Sequence, residues 1–164
     1  MKIINYLILS IFLSIFIFFN SCSGYKPIFS SANLNFEISK HSIKGDKILG
    51  NQLYSKIKKN SQKNKNKKSP YNFDIFINIL KDKVATVKNS TGKILEYKIS
   101  LNTNFKVQDF LTKEEFINSQ LVYATTYKVR EKHFDTIKAE NKAVENLIDK
   151  IYQELLIRLS EVIK

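Results

Sequence analysis

The longest regular pattern in the chain runs from Leu95 to Val107. Leu95, Tyr97, Ile99, Leu101, Thr103, Phe105 and Val107 alternate with Glu96, Lys98, Ser100, Asn102, Asn104 and Lys106. Strict period two sends one set of side chains to a core and the other to water, which predicts an antiparallel strand with one wet face. Tyr71, Phe73, Ile75, Ile77 and Ile79 alternate in the same way with Asn72, Asp74, Phe76 and Asn78, and the strand can continue past Val84 and Val87 to Lys88. Asn89-Ser90-Thr91-Gly92 separates the two strands and reads as a hairpin turn. Asp109 to Glu115 turns the chain again, and Phe116 to Lys128 forms a third strand with Ile117, Leu121, Tyr123 and Tyr127 on one side. Near the other end, Leu34, Phe36 and Ile38 alternate with Asn35 and Glu37, a short first strand.

Two stretches have helical spacing. Ile48, Leu49, Gln52, Leu53, Lys56 and Ile57 follow Gly45 and Asp46, which predicts a helix capped by Asp46 and ending near Lys59. Ile137, Val144, Leu147, Ile148, Ile151, Leu155, Leu159 and Ile163 form one stripe, which predicts a long helix over Phe134 to Lys164 with Asp135 as its N-cap. Asn60 to Ser69 holds Lys63, Lys65, Lys67 and Lys68 and no apolar residue, and reads as a basic loop closed by Pro70. The order is β-α-β-β-β-α. The expected fold class is α+β: a two-layer sandwich with a four-stranded mixed sheet and both helices on one face, because the other face is polar. The first strand reaches the sheet through a helical crossover and is expected to pair parallel; the other three form an antiparallel meander.

The apolar run from Ile3 to Phe19 follows Lys2 and ends at Phe19-Asn20-Ser21-Cys22. It falls short of the roughly 20 apolar residues that span a bilayer and fits the hydrophobic part of a secretory signal. The only Cys of the protein stands where a bacterial lipoprotein signal places it. This predicts a lipoprotein signal peptide over 1–21, a tether over 22–33 and an α/β domain over 34–164. Cys22 is then the lipid-attachment residue, and acyl chains anchor the protein to the membrane. The alternative is an incidental thiol after an uncleaved anchor. Residue 23 is Ser rather than the Asp of inner-membrane retention, so the expected location is the outer membrane, facing the periplasm.

Composition narrows the chemistry. The 164 residues contain one Cys and four Gly, which rules out an internal disulfide, a Cys-based zinc site and a Gly-rich phosphate loop. His41, placed in the linker after the first strand, and His133, before the last helix, have no Ser, Cys or paired carboxylate at a telling spacing. Glu114 and Glu115 read as a solvated turn. The expectation is a non-enzyme with no metal and no cofactor. The formal charge is +12, and all but Arg130 and Arg158 of the 27 basic residues are Lys. An anionic ligand is one reading, met by Lys63, Lys65, Lys67, Lys68, Lys83, Lys88 and Lys93 in the basic loop and near the first hairpin tip. The other is a Lys-, Ile- and Asn-rich codon bias that leaves part of the charge without a partner. Nucleic acid is disfavoured, since the Arg fork that reads phosphate and base edges is almost absent and the chain carries an export signal.

Cys22-Ser23-Gly24-Tyr25-Lys26-Pro27-Ile28-Phe29 resembles the mature start C-G-[FY]-x-P-[LI]-[YF] of the LPS-assembly lipoprotein LptE family, with Ser23 as an extra residue. Gly50-Asn51-Gln52-Leu53-Tyr54 is similar to that family's first helix. The segment from Phe134 to Ala143 resembles its [YF]-A-T-L-x-A-E-x-x-A entry to the last helix, with Asp135 in place of the usual Ala. The resemblance covers the mature chain in order. It implies a plug inside an LptD-like outer-membrane β-barrel that helps assemble the barrel and deliver lipopolysaccharide to the outer leaflet. The alternative is an envelope lipoprotein that grips an acidic polymer or peptidoglycan through its Lys-rich loop.

Overall fold

The computed structural model describes residues 34–61 and 71–163. The elements are β1 (Phe36–Gly45), α1 (Lys47–Ser61), β2 (Tyr71–Lys88), β3 (Ile94–Asp109), β4 (Glu115–Lys128) and α2 (His133–Val162). The sheet has four strands in the order β1-β2-β3-β4. β1 runs parallel to β2, and the two remaining pairs are antiparallel. This is the mixed α+β sandwich expected from the alternation patterns.

One face of the sheet carries the core. Phe73, Ile75, Ile77 and Ile79 of β2 stand beside Ile99, Leu101, Phe105 and Val107 of β3, and Ile117 and Leu121 of β4 continue the layer. Leu49, Leu53 and Ile57 of α1 and the stripe from Ala143 to Leu159 of α2 close over it in the same cluster. Among the described residues, no helix packs on the opposite face.

β1 is longer than its opening alternation indicates. A bulge between Ile38 and Lys40 inserts one unpaired residue, Ser39. That insertion reverses the parity of the strand. Phe36 and Ile38 share the helix side with His41, Ile43 and Gly45, while Lys40, Ser42 and Lys44 point to the open face. His41 therefore lies in the strand and not in a linker, and its ring stacks on Tyr54 of α1 with centroids 4.0 Å apart.

The turn from β1 into α1 needs glycine. Gly45 has φ +72°, and a Cβ there would sit 2.1 Å from the carbonyl oxygen of Ile79. That oxygen accepts the Asp46 N–H at 2.7 Å. Asp46 caps α1 as its position indicates: Oδ1 accepts the N–H groups of Ile48 and Leu49, each at 3.1 Å. Asp135 is not the cap of α2. The helix starts earlier, Lys132 takes the cap position with extended backbone and no side-chain cap bond, and Asp135 lies in the first turn, where its charge complements the helix dipole. Thr136 Oγ1 instead accepts the Arg130 N–H at 2.8 Å and secures the entry loop.

Candidate interaction face and hairpin arm

Beyond Ile79, every residue of β2 to Lys88 is exposed. Together with the start of β3 this makes an arm that outruns the apolar core. A charged cluster takes over at its base. Lys83 lies on the helix side of the sheet, opposite the buried Ile99. Its Nζ donates to Glu140 Oε2 of α2 at 2.5 Å and sits 4.4 Å from the centroid of the Tyr97 ring and 5.6 Å from that of Tyr127. The Tyr127 hydroxyl donates to the same Glu140 oxygen at 2.8 Å, and Lys81 Nζ approaches the other at 3.8 Å. Burial alone raises the carboxyl pKa of Glu140, yet the hydrogen bonds from Lys83 and Tyr127 outweigh it and hold the group below the ordinary range. Burial pulls Lys83 down, and the bonds to Glu140 and Tyr127 reverse that and leave it raised.

Of the Lys residues singled out in the sequence, Lys83, Lys88 and Lys93 fall among the described residues. Lys83 is engaged by Glu140 at the arm's base. Lys88 and Lys93 flank the hairpin turn, which Asn89 builds: its Oδ1 accepts the Thr91 N–H at 3.1 Å and the Lys93 N–H at 2.9 Å, and Gly92 takes φ +82°. Lys63, Lys65, Lys67 and Lys68 lie outside the described residues, as do Cys22, the signal segment 1–21 and the tether 22–33. Among the described residues, no helix is long and apolar enough to cross a membrane, and no group of three metal-ligating side chains occurs.

The open face is an ordered grid. In cross-strand register its rows read Lys40–Asp74–Gln108–Glu115, then Ser42–Phe76–Lys106–Asn118, then Lys44–Asn78–Asn104–Gln120. Farther along, Leu80, Asn102 and Val122 form a fourth row. Asp74 is only 3% exposed, and the β3–β4 loop covers it. Lys113 of that loop, at φ 62°, reaches it with Nζ 2.9 Å from Oδ2, and the same ammonium sits 4.8 Å from the Phe110 ring centroid. Lys106 pairs with Glu115, and its hydrogen bond, with a second from Asn118, holds the Glu115 carboxyl below the usual range. Gln120 donates to Asn102 at 3.1 Å.

The polar character of this face was legible in the alternation of β2 and β3. The contribution of Ser42 and Lys44 was not, because the bulge that turns them outward interrupts the period. The resumed alternation of His41 and Ile43 with Lys40, Ser42 and Lys44 is the signal that marks it.

Neither a protein-family model nor a curated protein matches the sequence. Solved structures do match. A putative lipoprotein from Caulobacter crescentus is similar over 79% of this chain and 90% of its own, with a TM-score of 0.54 and 12% identity. The uncharacterized lipoprotein B from Nitrosomonas europaea is similar over 75% of this chain and 83% of its own, with a TM-score of 0.50 and 15% identity. The chain shares the fold of these lipoproteins. At such identities the likeness is one of fold alone.

Proposed function

We propose that the protein is an LptE-like outer-membrane lipoprotein, anchored through Cys22, that plugs an LptD-like β-barrel. In this role it helps the barrel assemble and aids delivery of lipopolysaccharide to the outer leaflet. The observation that carries the reading is the sheet face that no described helix covers, whose rows of amide, hydroxyl and Lys side chains suit the wet interior of a large barrel. The lipoprotein fold and the placement of the only Cys at the end of the apolar run support it. A sheet buried on one side and polar on the other presents a rigid surface with side chains at fixed spacing, which is what a plug needs to hold its orientation.

Extraction of the full chain from membranes in mild detergent, through a C-terminal tag, tests the proposal. A large β-barrel protein is expected to co-purify. Recovery of the lipidated chain alone would refute the plug. Labelled palmitate is expected on the wild-type protein and not on Cys22→Ala; label that persists on the variant would refute the anchor.

A further inference from the structure

We infer that the depression on the open sheet face is a binding site for one anionic saccharide unit, a sugar ring bearing a carboxylate or a phosphate. The depression measures about 380 Å³ and spans β1, β2 and β3, with Asn118 of β4 at its edge. That volume lies at the lower end of the range for small-molecule sites.

Three features define what it takes. The first is Phe76, which is 39% exposed although it stands mid-strand. It is the one aromatic ring of the depression that belongs to the open face, since Phe105 is a core residue whose side chain points to the helices. An exposed ring framed by amides is a platform for the C–H face of a sugar.

The second is the state of the amides. Asn78, Asn104 and Gln108 line the depression, and among the described residues their side chains make no hydrogen bond. Asn102 and Gln120, one step outside it, are bonded to each other at 3.1 Å. The free carboxamides offer donors and acceptors together, which match hydroxyl groups.

The third is charge. Lys44 and Lys106 line the site with no acidic residue among its walls. Lys106 is neutralised in part by Glu115. Lys44 has no ion pair among the described residues, so one uncompensated cation faces one negative charge on the ligand. All of these groups sit within strands, so the site is held rigidly before the ligand arrives. The inference goes beyond the barrel reading and does not require a barrel.

The test is titration of the full isotope-labelled chain in detergent, read on the side-chain amide signals of Asn78 and Asn104. The probes are digalacturonate, glucose 1-phosphate, maltose and inorganic phosphate. Digalacturonate, glucose 1-phosphate or both are expected to shift these signals; the carboxylate alone points to a glycan source and the phosphate alone to a sugar-phosphate headgroup. Lys44→Gln is expected to weaken binding about tenfold or more, and Phe76→Ser to remove it, with melting curves confirming that both variants fold. Equal binding of maltose, equal binding of inorganic phosphate, shifts elsewhere on the protein only, or no shift at millimolar probe would each overturn the inference. Because no barrel is present, failure here leaves the co-purification result standing on its own.

Discussion

Lys83 Nζ lies 2.5 Å from Glu140 Oε2, so charge joins the hairpin arm to the last helix where the apolar core stops. Glu140 also accepts the Tyr127 hydroxyl. Replacing it strands two partners at once.

Glu140→Gln is expected to cost about 1 kcal/mol at neutral pH, discounted because Lys83 remains partly exposed. Glu140 is depressed in the fold, so its contribution is present above the unfolded value near 4.3 and fades as pH falls through the folded value. Lys83 and Tyr127 are both raised, so their contribution is complete below their unfolded values and fades as pH rises through the folded ones. The gap between wild type and Glu140→Gln in urea midpoint should therefore be flat near neutrality and narrow on acidification. A gap that widens in acid contradicts the network.

The Asp74–Lys113 pair makes a second prediction. Asp74 is buried and Oδ1 has no partner among the described residues. Lys113→Met leaves the carboxylate without its cation and is expected to cost about 1–3 kcal/mol. Adding Asp74→Asn to the same chain should recover most of that loss. No recovery would mean that Lys113 acts through its loop geometry instead.

Two glycines should respond differently to the same change. Gly45→Ala meets backbone at Ile79 and a positive φ, and is expected to lose about 1–3 kcal/mol with no side-chain remedy. Gly50 is a packing contact: a Cβ there would stand 2.3 Å from Ile43 Cγ2. Gly50→Ala should destabilise as well, and Ile43→Ala should offset part of it in a double-mutant cycle. Simple additivity of the Gly50 and Ile43 changes would show that the two side chains do not compete for that space.

Thr103 offers a gain. It is 0% exposed in the core layer between Ile79 and Leu121, and its hydroxyl has no partner among the described residues. Thr103→Val keeps the shape and removes the stranded hydroxyl, and is expected to add about 1 kcal/mol by thermal unfolding. A lower melting temperature would reveal an unrecognised bond.

Period-two alternation made β2, β3 and β4 legible because β3, β4 and the first half of β2 are wet on one side and dry on the other. The same rule explains why the alternation of Leu34, Phe36 and Ile38 indicates only a short first strand: a bulge reverses which positions face inward, and a strict alternation has no term for one added residue. Asp135 misled for a local reason. An Asp ahead of an apolar stripe fits a cap, but the helix starts at His133 and leaves Asp135 inside its first turn. The basic residues were visible as a class, yet their uses were not. Whether a Lys pairs, stacks or stays free depends on partners from other elements, as Glu140 of α2 does for Lys83 and Glu115 of β4 for Lys106. The depression on the open face needed that register too, since Lys44, Phe76 and Asn104 become neighbours only once three strands are aligned.

The last helix has a bearing on the order of synthesis. The stripe from Ala143 to Leu159 covers β3 and β4, yet it follows all four strands in the order of the described elements. Until it arrives, Ile99, Leu101 and Leu121 form half of a greasy sheet with no lid. A polypeptide truncated before Leu147 therefore has a complete meander and an open core, and such bare sheets invite aggregation.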